Sequence, residues 1–256
     1  MRRLLALTFL LYSGWAHSQS WMNWSDASVG YSPIERIKIN VGAQYRWNVS
    51  ENTYSKSLLN LRISGKMTSF LSLQARYRRA WMPNEYFYLD QKTQTYGHRF
   101  AIGLKLDLLK TLPKKWDWRK KIGLTYSSFW QVEQFKFKRN QTFWRNKLML
   151  DHELPFKRIR PFYSIESFYR LNQYYTYENQ SVSYFGLMNE MRYEIGLSFD
   201  LPKSHGLAFS CIYRDFQTQK WDVWVMQVSY QYTIGKKKKK SDSSPTSLPT
   251  KVEDAD

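Results

Sequence analysis

Phe100-Ala101-Ile102-Gly103-Leu104-Lys105-Leu106-Asp107-Leu108 is the stretch whose period decides the fold. Phe100, Ile102, Leu104, Leu106 and Leu108 take every second position, and Ala101, Gly103, Lys105 and Asp107 fill the places between. Side chains of an extended strand point alternately to opposite faces, so the pattern predicts a strand with one apolar face and one polar or small face. An amphipathic helix would need apolar residues three and four apart instead.

The same period recurs on both sides of this stretch. Ile37, Ile39, Val41, Ala43, Tyr45 and Trp47 alternate with Lys38, Asn40, Gly42, Gln44 and Arg46. Met191, Tyr193, Ile195, Leu197 and Phe199 alternate with Arg192, Glu194, Gly196, Ser198 and Asp200. Trp224, Met226, Val228, Tyr230, Tyr232 and Ile234 alternate with Val225, Gln227, Ser229, Gln231 and Thr233. Weaker repeats of the pattern lie near 59–67, 71–81, 122–130, 144–154, 161–171 and 207–216. The total is about ten strands of roughly ten residues, the length a tilted strand needs to cross a bilayer. The expected fold is all-β: a transmembrane antiparallel up-and-down β-barrel of about ten strands, within a range of roughly ten to twelve. The segment 21–31 also alternates and leaves three readings open: an extra strand, a plug in the lumen, or a miscount.

The connections support a membrane barrel. Short turns are expected at 67–70, 155–160 and 201–206, with a longer one at 110–118, and long polar loops at 48–57, 82–95, 132–141 and 172–185. Short turns on one side and long loops on the other are the outer-membrane pattern. On this map Trp47, Trp81, Trp130, Trp144 and Trp224 all fall at the long-loop rim and read as an aromatic girdle, because indole rings favour the bilayer interface.

Both ends of the chain read as something other than barrel. Arg2 and Arg3, the apolar run of residues 4–12, and Ala16-His17-Ser18 have the three-part form of a secretory signal peptide over residues 1–18. That run is too short for a membrane helix. The barrel is expected over 19–235, and the Lys/Ser/Pro-rich stretch 236–256 as a disordered periplasmic tail. Aromatic residues make up 18% of the chain and hydrophobic residues 43%, which excludes wholesale disorder. The mean hydropathy of -0.61 fits a chain that places apolar residues only at alternate positions. Cys211 is the sole cysteine, so no intramolecular disulfide forms.

With the apolar face turned to lipid, the alternate residues line the interior. Arg62, Arg76, Arg78, Arg99, Lys105, Arg145, Lys147 and Arg192 are the chief cations there, with Glu166 and Glu194 among the fewer acids. Buried charges must be paired or hydrated, so an Arg/Glu structural lattice is one reading and an anion site the other. The formal net charge of +18, behind a signal peptide, points to anionic lipid, lipopolysaccharide phosphates or an anionic lumen ligand rather than to nucleic acid. No catalytic signature is present: His98, His152 and His205 fall on separate elements, with no His-x-x-x-His pair, Cys cluster or phosphate loop. The chain therefore reads as a non-enzymatic protein without cofactor or metal. His98, near the long-loop rim, is the best-placed residue for the alternative of a lipid-modifying enzyme or peptidase.

Trp24, Arg76-Tyr77-Arg78, Arg145-Asn146-Lys147-Leu148 ahead of Pro161, Glu166-Ser167-Phe168-Tyr169 and Met191-Arg192-Tyr193-Glu194-Ile195-Gly196-Leu197 carry a resemblance across most of the chain. They resemble an uncharacterised family of outer-membrane β-barrels common in Bacteroidota, a domain of unknown function. The charged tail departs from barrels that end on their final strand. The resemblance implies location in a Gram-negative outer membrane and a barrel fold, and supplies no activity. The expected role is structural or accessory, with outer-membrane lipids, lipopolysaccharide, the barrel assembly machinery and a larger envelope complex as partners. The alternative is a narrow anion-preferring pore or small-ligand-binding barrel.

Overall fold

The computed structural model describes residues 20–82, 95–112, 121–135, 138–154, 158–177, 180–184, 187–217 and 222–234. The expected signal peptide and the lysine-rich tail lie outside these residues, as does most of the expected loop 82–95.

Eleven strands close into one barrel. They are β1 (Ser20–Ile34), β2 (Ile37–Asn48), β3 (Thr53–Lys66), β4 (Leu71–Met82), β5 (Thr95–Asp107), β6 (Ile122–Phe135), β7 (Lys138–His152), β8 (Ile159–Arg170), β11 (Leu187–Leu201), β12 (His205–Phe216) and β13 (Val223–Ile234). Between β8 and β11, β9 (Gln173–Tyr177) and β10 (Gln180–Tyr184) form a separate two-stranded sheet. The rim where β1 begins is called the upper rim below, and the opposite one the lower rim.

The segment 21–31 is thus a wall strand, neither plug nor miscount. It also corrects the purely antiparallel expectation. Each sequential neighbour in the wall runs antiparallel, but an odd number of alternating strands returns to its start with the same direction. β1 therefore pairs β13 in parallel, from Ser20↔Val223 to Tyr31↔Ile234.

Loop lengths differ from expectation at two places. β2 and β3 are joined through only 49–52, and β6 and β7 through only 136–137. The ladder of β6 and β7 continues through Val132↔Thr142 and Glu133↔Gln141 to Phe135↔Lys138. Cross-strand hydrogen bonds carry these strands through polar residues, where a hydropathy pattern sees a loop. As a result Trp130 and Trp144 sit directly opposite each other inside β6 and β7 rather than at strand ends. Another expected loop, 172–185, holds the β9–β10 hairpin.

The wall separates two environments in the reverse of the usual order. Val41, Leu59, Leu61, Phe100, Ile102, Leu104, Leu148, Ile165, Ile195, Phe209 and Val228 are exposed on the outside, whereas Arg46, Gln131, Arg145, Glu166, Glu190 and Arg192 are buried inside. An eight-stranded barrel is only just wide enough to be filled by ordinary side chains, so eleven strands demand long ones. Arginine and aromatic residues supply them: Trp24, Phe129, Phe143, Phe162 and Phe168 are buried inside with the charges. Two glycines make room for such rings. A Cβ on Gly103 would lie 2.5 Å from the Phe129 ring and 2.1 Å from a backbone oxygen, and one on Gly196 would lie 2.2 Å from the Phe162 ring.

Candidate functional site

The interior charges fall into place through strand parity. Arg192 is the Cα partner of Glu166 on one side and of Arg214 on the other, and Lys147 that of Glu166. Facing residues of a pleated sheet project to the same side, so these side chains meet in the lumen.

On the wall formed by β7, β8, β11 and β12 they neutralise one another. Glu166 accepts hydrogen bonds from Arg145 Nε, and Arg192 Nη1 stands 3.8 Å away. Glu190 accepts from Arg192 Nε at 2.7 Å, Arg192 Nη2 at 3.0 Å and Arg214 Nε at 2.6 Å. Glu194 accepts from Ser164 Oγ at 2.9 Å and pairs with Lys147 Nζ at 3.5 Å. Toward the lower rim, Arg160 meets Asp200 at 3.2 Å. Aromatic faces complete the packing. The Arg192 guanidinium lies 4.2 Å from the centre of the Phe168 ring, and that of Arg145 lies 5.1 Å from it. Charges arranged this way have both their Coulomb partner and their hydrogen bonds, the condition under which buried ions are tolerated.

Across the lumen, β2, β3 and β4 turn Lys38, Arg46, Lys56, Arg62, Arg76 and Arg78 inward without contributing a single inward carboxylate. Three of these arginines bond neutral amides. Arg46 Nε donates to Gln44 Oε1 at 2.8 Å, Arg76 Nη2 to Gln74 Oε1 at 2.8 Å, and Arg78 Nε to Asn60 Oδ1 at 2.5 Å. Arg46 is fully buried, lies 4.0 Å above the Trp24 ring, and has no hydrogen-bond partner for either terminal nitrogen. Arg76 stacks at 3.8 Å on Phe129. A desolvated cation over an aromatic face gains about 2 kcal/mol, which offsets part of the burial cost of these guanidinium groups. The nearest buried carboxylate, Asp26 on β1, accepts from Gln227 Nε2 at 2.5 Å and Ser229 Oγ at 3.3 Å.

Two cavities border this cation-rich wall. The larger, about 190 Å³, opens at the upper mouth among Lys56, Arg78, Arg99, Glu133, Glu190 and Arg214, with Leu58, Phe143, Phe168 and Phe216 as its apolar sides. The smaller, about 30 Å³, lies deeper between Asp26, Asn60, Arg62, Arg76, Arg78 and Arg145. Arg78 and Arg99 line both. Arg99 is held by Glu133, Nη2 to Oε1 at 2.6 Å, and Glu133 also accepts from Gln131 at 2.8 Å.

The expected lumen residues thus divide. Arg145, Lys147, Glu166, Arg192 and Glu194 form the ionic lattice, and Arg62, Arg76, Arg78 and Arg99 gather at the cavities, with Arg145 touching the smaller one and Arg99 paired to Glu133. Lys105 faces inward opposite Ser127, outside both cavities. Lys56 and Glu133 were hidden because both fell in stretches read as loops. Phe129, Phe143, Phe162 and Phe168 were hidden because apolar residues were expected outside. Parity shared with Arg145 and Glu166 is the signal that places them inside.

The five girdle tryptophans all share the outward parity. Trp224 stacks on Trp21 at 6.0 Å, Trp47 on Tyr45 at 6.4 Å, and Trp144 Nε1 donates to Ser128 Oγ at 2.8 Å. Trp81 lies beneath the guanidinium of Arg79 at 5.1 Å. His98 alternates with the inward Gly97 and Arg99, and its Nδ1 is 2.8 Å from the Tyr77 hydroxyl. His205 forms the equivalent contact near the lower rim, 2.6 Å from the Tyr230 hydroxyl. Among the described residues no cluster of His, Cys, Asp and Glu has metal-binding geometry. Compared with protein-family models, curated proteins and solved structures, the chain matches none.

Proposed function

We propose that this chain is an exported outer-membrane β-barrel of a Gram-negative bacterium, with a structural or accessory role and no catalytic activity. One observation carries the membrane placement: the inside-out distribution of polarity. Ile102 is 60% exposed, while Arg46 is 0% and Glu166 3% exposed. In water the outer band would cost about 25 cal/mol for each Å² of apolar surface left exposed, and in lipid that cost vanishes. No helix among the described residues is long and apolar enough to cross a membrane, so the strands are the spanning elements of this reading. The upper rim, with the longer links 83–94 and 171–186, faces the cell exterior, where lipopolysaccharide meets the girdle.

The filled interior favours a barrel that holds its shape over an open conduit, and silent planar bilayers are expected in all salts. The non-catalytic role draws support from His98, whose ring is engaged with the Tyr77 hydroxyl on the outward parity. The kinship with the Bacteroidota outer-membrane family, folding by the barrel assembly machinery and membership of a larger envelope complex belong to the same proposal. The test is fractionation of a cell expressing the full chain. The protein is expected in the outer-membrane fraction, with gel mobility that shifts on boiling. Recovery in the soluble periplasmic fraction, with no such shift, would overturn the reading.

A further inference from the structure

We propose that the cavity at the upper mouth binds a small oxyanion carrying more than one negative charge, with a phosphate group as the chemistry that fits it. Four cations line this cavity: Lys56, Arg78, Arg99 and Arg214. Its two carboxylates are already committed, Glu190 to Arg192 and Arg214 and Glu133 to Arg99. Lys56 and Arg78 form no ion pair with any described carboxylate. Arg78 is 9% exposed, and its Nη1 lacks any hydrogen-bond partner. Fully buried Arg46, likewise without a carboxylate, adds positive potential from the next strand.

A buried charge without a counter-charge is costly, and a bound anion relieves that cost where water only hydrates it. The surplus exceeds one unit, so a dianion suits the cavity better than a monovalent carboxylate or halide. A volume of about 190 Å³ is below the roughly 300–1,000 Å³ of sites for drug-sized ligands, and admits a free ion or the terminal group of a larger molecule. The planar fork of arginine matches two phosphate oxygens, and the lysine ammonium adds a point charge. These arguments concern the interior alone and are independent of whether the outer face meets lipid.

The test is calorimetric titration of the full-length chain, refolded in detergent micelles, with sodium phosphate at constant ionic strength. Sodium chloride is the control, and glycerol 3-phosphate is a second probe; a chain that proved soluble would be titrated in plain buffer. Saturable binding of phosphate but not chloride is expected, together with a higher unfolding temperature in phosphate. Arg78→Gln and Lys56→Gln should each weaken phosphate binding about tenfold or more, the worth of one charge-assisted bond. Near-ultraviolet circular dichroism shows which variants are folded, and Lys56→Gln, on a half-buried residue, serves if Arg78→Gln is not. Binding of both phosphates identifies a terminal group as ligand, and binding of inorganic phosphate alone identifies the free ion; each supports the proposal. Phosphate that behaves as chloride does, or folded variants that bind it as tightly as the parent chain, overturns it.

Discussion

The two sides of the barrel interior solve the same problem differently. On β7, β8, β11 and β12, arginines and lysines alternate with glutamates across the strands, and Glu166 and Glu190 each serve two guanidinium groups. On β2, β3 and β4, which bring no inward carboxylate of their own, Arg46, Arg76 and Arg78 bond amides, and Arg46 and Arg76 lie against aromatic rings. The outer surfaces of the two sides are alike. Leu59 on β3 is 43% exposed and Ile195 on β11 is 54% exposed. Chain order and strand geometry therefore impose one outside and two insides. The balanced side is built to hold itself together. The cationic side stores repulsion and is the place where an outside counter-charge does the most.

The largest effect expected from this contrast follows removal of a shared carboxylate. Glu166→Gln removes the carboxylate that Arg145 bonds in a buried site and leaves Arg192 to Glu190 alone, and should cost about 3–5 kcal/mol in urea unfolding of the refolded barrel. A loss below about 1 kcal/mol would mean that water already screens the lattice.

Next come the outer faces, where the two sides should not differ. Leu59→Arg and Ile195→Arg should each cost about 2–4 kcal/mol in lipid vesicles, the range for a charge near the bilayer midplane. On a water-facing surface the same changes would stay within about 0.5 kcal/mol, and that result would remove the membrane from the comparison.

Packing gives a smaller effect. Gly196→Ala on the balanced side drives a methyl group against the Phe162 ring and the backbone oxygen of Phe209. Overpacking of this kind costs about 1–3 kcal/mol, read from the shift in urea midpoint at unchanged slope. An unshifted midpoint would show that the ring moves aside freely.

The smallest expected change has the opposite sign. Lys56→Gln on the cationic side, in phosphate-free buffer, should leave stability unchanged or raise it by up to about 1 kcal/mol, because it removes one like charge. A loss of several kcal/mol would place Lys56 in a structural lattice equivalent to that of the other side.

Legibility followed the same division. Ten of the eleven wall strands were readable from alternation, since a half-exposed strand displays period two whatever surrounds it. The eleventh, β1, was ambiguous because Asn23, Ser25 and Ala27 face outward while Trp24 faces inward, so its polarity runs against the rule. The upper ends of β3 and β6 were missed, and with them Lys56 and Glu133, because pairing with a neighbour extended those strands through polar residues. Arg160, buried beside Asp200, was hidden in the stretch read as the turn 155–160, whereas Arg46, Arg145 and Arg192 lie on the face that alternation assigned to the interior. Their sorting into paired and cavity-lining groups was not visible, because it depends on which strand stands beside which.

What the order of residues settles unaided is local: which side chains share a face, that the strands are extended, and that most charges of β2 to β13 lie opposite the greasy side. Those features arise within a few residues through backbone geometry. The three-dimensional fold alone settles closure, the parallel seam and the meeting of partners such as Asp26 and Gln227, 201 positions apart. Such contacts depend on the number of strands and the stagger around the ring, which are global quantities that no short window of the chain contains.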